Sequence, residues 1–203
     1  TLVTKFLAVS CLVAITKCTI LKIVLILGVE KDLTIKFQIT SQEQKHIQSL
    51  EKGKILKYIL YRYVFKEYPR KKISTKFPIY ILIEPVSSCN LKCGMCFQSD
   101  ATFIKKEFMG KMDINLYKKL IDEAAANGTC AITFGSRGEP TIHPQIIEII
   151  DYTKGKFLDV KLITNATKLS DELIHKIFTC NINQVSFSID SEDKKIYEEI
   201  RKF

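Results

Sequence analysis

From residue 79 onward the chain alternates short, mainly apolar runs with longer stretches in which apolar positions recur every three or four residues. The runs are Ile79–Ile83, Cys130–Phe134, Val160–Ile163 and Gln184–Ile189. Bounded by turn residues, they predict strands, and their continuous apolar character predicts cover on both faces. The stretches between them predict helices near Asp113–Asn127, Pro144–Thr153, Ser170–Phe178 and Ser191–Arg201. Leu116, Leu120, Ile121 and Ala124 or Ala125 mark one face of the first, which Gly128 stops. Strands that alternate with helices predict a parallel sheet, because parallel neighbours need crossover connections.

Ahead of this region the pattern changes. Residues 6–29 are strongly apolar, broken by Lys17 and Lys22. A membrane span wants roughly 20 apolar residues with few charges. A signal peptide wants a basic start and a small-residue cleavage site. The β-rich run Ile20–Leu27, punctuated by Gly28 and followed by the alternating Leu33–Ile39, instead predicts a pair of strands. All three readings stay open, membrane contact through residues 6–29 being the less favoured. Ser41 followed by Gln44 has the form of a capping box. It predicts a helix to about Lys66 that packs against a domain and is closed by Tyr68-Pro69. The expected division is a basic segment over 1–76, an apolar stretch plus a long helix, and a catalytic region over 77–203.

Charge sharpens that division. Of 31 Lys and Arg and 22 Asp and Glu, the first 80 residues hold 15 and 5, so the whole excess of +9 lies there. No nucleic-acid-binding motif accompanies it, and a solvated helix face accounts for it. The hydrophobic share of 46% excludes wholesale disorder. Seven cysteines, an odd number with three inside eight residues, argue against a disulfide scaffold and for metal or redox chemistry in a reducing compartment.

Ligands of parallel α/β folds gather at the carboxyl ends of the strands, and the unusual residues lie there. After the first strand comes Cys89-Asn-Leu-Lys-Cys93-Gly-Met-Cys96, a C-x3-C-x2-C array. Structural zinc and the common iron–sulfur clusters want four protein ligands. Cys130 and Cys180 fall at the opposite strand ends, ~17 Å away for a strand of five residues. Cys11 and Cys18 are unplaced. The simplest reading is a three-cysteine site with one position open to a ligand. Ser136-Arg-Gly138-Glu139-Pro140 follows the second strand, Thr164-Asn165-Ala-Thr167 the third, and Ser188-Ile-Asp190 the fourth.

Together these motifs resemble those of the radical S-adenosylmethionine (radical SAM) enzymes. The resemblance implies that Cys89, Cys93 and Cys96 hold three irons of a [4Fe-4S] cluster whose fourth iron is chelated by SAM. It implies that Gly138 and Glu139, in a segment similar to the family's GGEP, lie against the SAM amino group. Asn165 belongs to a T-N-G-T-like turn suited to a polar ligand contact, and Ser188 and Asp190 would contact the ribose. Arg137 replaces a glycine of GGEP. Met95 stands where the family often has an aromatic residue, with Phe97 just after the last cysteine. The implied activity is reductive cleavage of SAM to a 5′-deoxyadenosyl radical that abstracts hydrogen from a peptide, protein or small molecule. A donor such as flavodoxin or ferredoxin would supply the electron, and oxygen sensitivity of the cluster implies the cytoplasm. The implied fold is a partial (βα)n barrel, four of an expected six units, with an N-terminal helical and strand appendage. A SPASM-type domain with auxiliary clusters would lie beyond Phe203. A zinc or iron–sulfur binding module without SAM turnover, or an inactive truncated fragment, is the alternative. Arg201 reads as a solvated surface residue and His143 as a structural loop histidine.

Overall fold

A computed structural model describes residues 21–24, 34–37 and 40–202. The chain divides into two compact units, residues 1–55 and 56–203.

In the first unit β1 (Leu21–Val24) pairs antiparallel with β2 (Thr34–Phe37), Leu21 facing Phe37 and Val24 facing Thr34. A strand pair is thus present within the ranges that hydropathy suggested. The rest of the apolar stretch 6–29 lies outside the described residues, and with it the membrane and signal readings. Among the described residues no helix is long and apolar enough to cross a membrane.

The helix that follows differs from expectation at three points. Its capping box sits one residue earlier. Thr40 accepts from the Glu43 N–H at 3.3 Å while the Glu43 carboxylate accepts from the Thr40 N–H at 2.7 Å. A carboxylate is a stronger acceptor than the Gln44 amide and is favoured at the positive helix end. The helix is also two helices, α1 (Ser41–Ser49) and α2 (Lys52–Arg70), broken where Leu50 turns extended at φ −80° and ψ 145°. The break leaves Gly53 in a first turn, where intrahelical donors are unpaired in any case. Finally, α2 runs through Pro69. Its end is a Schellman closure, with Lys72 N–H bonded to Pro69 O, Ile73 N–H to Tyr68 O, and Lys72 left-handed at φ 54°. In the second unit the α2 residue Phe65 meets Tyr80 edge-on at 5.4 Å, so this part of the helix packs as expected. Burial of the α2 residue Tyr61 pushes its hydroxyl up to about 12.

The second unit is built on a four-stranded parallel sheet, β3 (Tyr80–Ile83), β4 (Ala131–Phe134), β5 (Asp159–Thr164) and β6 (Gln184–Phe187), ordered as in sequence. Helices α3 (Ile114–Ala126), α4 (Ile146–Thr153) and α5 (Asp171–Thr179) form the connections, and α6 (Lys194–Ile200) follows β6. This α/β architecture is that of a partial (βα) barrel with four units. Ile83, Phe134 and Leu162 lie side by side in register and join Tyr117, Ile121, Ile149, Ile150 and Leu173 in the core.

Two expectations about burial fail. The apolar face of α3 is centred on Tyr117, Ile121 and Ala124, while Leu116 is 57% exposed. Turning Tyr117 inward buries the larger ring, and its hydroxyl finds Thr153 Oγ1 and Ile149 O. Cover on both faces holds at β4, whose four residues are all buried, but not across the whole sheet. Leu82, on the face turned away from the core, is 49% exposed, and Lys161 occupies the same face one strand beyond its neighbour Thr133.

The carboxyl ends of β3 to β6 share one edge, and the turns leaving them carry unusual backbone. Ser136 has φ 101° and Ala166 φ 64°. Ala166 stands where the related motif has glycine, and its left-handed conformation explains why. A side chain there costs about 1–2 kcal/mol that glycine avoids. The turn is held by Ala166 N–H to Thr164 Oγ1 and Thr167 N–H to Asn165 Oδ1, both at 3.0 Å. Ala166→Gly is therefore expected to raise stability by about 1 kcal/mol, seen as a higher urea midpoint with an unchanged slope. An equal or lower midpoint would contradict the strain.

Candidate functional site

The cysteine loop leaves β3 through Glu84-Pro85 and is stitched down before the first cysteine. Ser87 N–H bonds to Gly110 O at 3.0 Å, and Gly110 N–H donates to Ser87 Oγ at 2.8 Å. Cys96 N–H bonds to Cys93 O, a tight turn that continues into a 3-10 turn at Phe97–Ser99. Cys93 is buried, Cys89 and Cys96 are partly buried, and all three are free thiols. Cys130 and Cys180 are also free and lie at the amino ends of β4 and β6, away from the loop as expected.

Each motif after a strand reaches back to this loop. Gly138 passes so close that a Cβ on it would stand 1.8 Å from Val86 O and 2.7 Å from Ser88 O. Only glycine permits that approach. Glu139 N–H then bonds to Ser88 O at 3.0 Å. The Glu139 side chain, 3% exposed, turns away from solvent to the end of β5. Its Oε1 accepts from Thr141 N–H, Thr141 Oγ1 and Thr164 Oγ1, and its Oε2 from Asn165 N–H at 2.7 Å. Asn165 points its amide at the first cysteine, donating to Cys89 Sγ at 3.7 Å and to Asn90 Oδ1 at 3.0 Å. Asn90 in turn donates to Thr167 Oγ1 at 2.7 Å. Cys89, Gly138, Glu139 and Asn165 therefore belong to one connected network.

The fourth strand end is joined differently. β6 stops at Phe187, and Ser188 N–H bonds to Thr164 O at 2.8 Å. The Ser188 hydroxyl is partly buried, with no hydrogen bond to the described residues. Asp190 faces Arg201, whose Nε donates to its carboxylate, while Arg201 Nη1 reaches Cys93 Sγ at 3.9 Å. With 16% of its side chain exposed, Arg201 is not the solvated arginine that its place at the end of a polar helix suggested. The Asp190 carboxylate holds it there and raises its pKa further.

Two more residues of the site, Gln98 and Glu84, had no signal in the sequence. Gln98 is buried and donates to Ser87 O at 2.6 Å and Arg137 O at 2.9 Å, tying the loop's exit to its entrance. Glu84 accepts from Arg137 through Nε, Nη2 and the backbone N–H, and from Gly138 N–H at 3.3 Å. That fork explains how Arg137 is tolerated where the related motif has glycine: its side chain leaves the turn to meet Glu84. His143 is buried, accepts from Gln145 N–H at Nδ1 and meets Met112 O at Nε2, a structural histidine as expected. Met95 is 59% exposed, and Phe97 packs edge-on against Phe103.

The donor set suits an iron–sulfur cluster. Among the described residues no three His, Cys, Asp or Glu converge on a single metal ion. A cubane asks for something else, one soft thiolate for each of three irons. The sulfurs also receive N–H donors, Leu91 N–H on Cys89 at 3.4 Å, Asn165 on Cys89 and Arg201 on Cys93. Such donors stabilise metal-bound thiolates. Burial pushes the Cys89 thiol up, so cluster binding there would release a proton.

A family model described as the radical SAM superfamily matches residues 83–203. A tungsten-containing aldehyde ferredoxin oxidoreductase cofactor-modifying protein of Pyrococcus furiosus is 33% identical over 112 residues, 55% of this chain and 30% of that protein. The antilisterial bacteriocin subtilosin biosynthesis protein AlbA of Bacillus subtilis is 32% identical over 127 residues, 61% of this chain and 27% of its own. The AdoMet-dependent heme synthase of Methanosarcina barkeri is 31% identical over 127 residues, 63% and 35% of the two chains. The chain thus spans roughly a third of the length of these curated relatives. In fold it resembles SuiB of Streptococcus suis bound to S-adenosylmethionine, with a TM-score of 0.55 at 19% identity, over 75% of this chain and 34% of that one. With the cysteine loop and the motifs of all four strand ends inside the matched residues, the chain belongs to the radical SAM superfamily.

Proposed function

We propose that this chain carries the cofactor-binding part of a radical SAM enzyme whose substrate is a peptide or a small molecule. The observation that supports it best is the connected network from Cys89 through Asn165 and Glu139 to Gly138. It ties a three-thiol loop to two neighbouring strand ends. Curated relatives include a bacteriocin biosynthesis protein and a heme synthase, which is why both substrate classes are kept.

In this reading Cys89, Cys93 and Cys96 hold a [4Fe-4S] cluster. Held there, the cluster and SAM would supply the hard chemistry, reductive cleavage of SAM and hydrogen abstraction from substrate. The protein's part is to orient and to exclude water. Gly138 lets the backbone of the second turn lie against the cysteine loop. Glu139 has one acceptor site less crowded than the rest, because Oε2 carries a single protein donor, and that atom would receive the SAM ammonium. Asn165 would offer its amide, Ser188 its hydroxyl and Asp190 its carboxylate to the remaining polar groups of SAM. The electron would come from a small redox protein such as a flavodoxin or ferredoxin, and an oxygen-sensitive cluster suits the cytoplasm.

Anaerobic reconstitution with iron and sulfide should give about four irons per chain, visible absorbance and 5′-deoxyadenosine on addition of SAM and dithionite. Replacing Cys89, Cys93 and Cys96 together by Ala should remove all three signals. Zinc in place of iron, or SAM cleavage that survives the triple substitution, would refute the assignment. Gly138→Ala tests the close approach. Its Cβ would meet backbone and not a movable side chain, so the cysteine loop must shift. Iron retained after gel filtration should fall several-fold against wild type, with the far-ultraviolet circular dichroism unchanged. Full retention would show that the loop is not held by this contact.

A further inference from the structure

We propose that Arg201, oriented by Asp190, is a positioning residue for the cluster that raises its reduction potential through Cys93. The inference rests on the radical SAM reading above and assigns a function to Arg201, which the motifs do not explain, and a second one to Asp190.

Arg201 closes α6, yet its guanidinium is largely withdrawn from water. It has two partners. Nε donates to Asp190 Oδ2, and Nη1 reaches Cys93 Sγ at 3.9 Å, within hydrogen-bond range for the larger sulfur atom. The next residue repeats the link through the backbone, where Lys92 N–H donates to Lys202 O at 2.6 Å. Residues 201–202 are thereby fixed to residues 92–93 by a side-chain bond and a backbone bond. Cys93 is 6% exposed, so the cation and the sulfur meet in a poorly solvated place, where charge interactions are stronger than in water.

A cubane bound by three thiolates is anionic, and reduction adds a further negative charge. A guanidinium beside one ligand sulfur favours the reduced form. A hydrogen bond to that sulfur acts in the same direction, because it draws electron density from the ligand. Asp190 acts in two ways. Its geometry holds the guanidinium toward Cys93, and its negative charge partly offsets the cation. The two residues should therefore move the potential in opposite directions when neutralised, which a purely structural ion pair would not do.

The test uses the 203-residue chain reconstituted anaerobically and poised with redox mediators in the absence of SAM. The reduced cluster is read by electron paramagnetic resonance. At a potential where wild type is half reduced, Arg201→Gln should lower the ratio of reduced to oxidised cluster about tenfold, equivalent to about 59 mV for one electron. Arg201→Lys, which keeps the charge without the fork, should fall between the two. Asp190→Asn, which keeps an acceptor for Nε but removes the charge, should raise the ratio. Equal ratios in wild type and Arg201→Gln at equal iron content would overturn the proposal. If Arg201→Gln fails to hold iron, Asp190→Asn decides, and a ratio that is unchanged or lowered overturns it. Failure of wild type itself to form a reducible cluster would refute the underlying radical SAM reading instead.

Discussion

The Glu139 carboxylate is the point through which the strand ends are held in common. A carboxylate buried this deeply destabilises a fold unless its lone pairs are matched by donors. Here four donors match it, two from Thr141 in its own turn and two from Thr164 and Asn165 at the end of β5. Its backbone N–H reaches Ser88, one residue ahead of the first cysteine. One residue therefore sets three separate chain segments against each other. Removing the carboxylate, as in Glu139→Ala, would leave the Asn165 and Thr141 N–H groups and two hydroxyls without their acceptor, a cost that falls on the site and not on the helical layer behind the sheet.

Around that carboxylate the site is assembled mostly from backbone. Gly138 lies against Val86 and Ser88, Gln98 bridges the carbonyls of Ser87 and Arg137, and Glu84 gathers the N–H groups of Arg137 and Gly138. The loop that carries three cysteines has few apolar side chains of its own that are buried, Pro85 and Val86 at its entrance and Leu91 and Cys93 within the array. Polar fastening takes the place of packing. In the proposed reading, this suits a loop that would present soft ligands at a surface while keeping one conformation.

The strands and their order were legible because each is a short apolar run between turn residues, a signal that a parallel sheet produces directly. The C-x3-C-x2-C array was legible for the opposite reason, as a composition that no structural role of the sheet requires. What escaped depended on partners distant in sequence. Nothing in residues 41–66 marks Leu50 as extended. The choice of Tyr117 over Leu116 as the inward residue depends on Thr153 and Ile149, more than thirty residues on. Arg201 looked solvated because the chain around it is polar, and Asp190, which holds it, lies on the other side of α6. Gln98 and Glu84 carry no motif, since a buried amide and a fork-binding carboxylate are defined by the groups they meet.

The same reasoning separates the three cysteines, which the array alone presents as equivalent. Cys89 receives an amide from its own loop and another from the end of β5. Cys93, the deepest, faces a cation supplied by the last helix. Cys96 starts the exposed segment carrying Phe97 and Phe103, and among the described residues no N–H donor reaches its sulfur. Donors to the ligands lower the electron density on an iron–sulfur cluster, and exposure of a ligand changes its solvation. A cluster in this loop would thus be bound asymmetrically, with the donors concentrated on the side where the strand ends converge. The asymmetry follows from topology, because β5 and the segment after β6 both end near the first two cysteines while the third leads the chain outward.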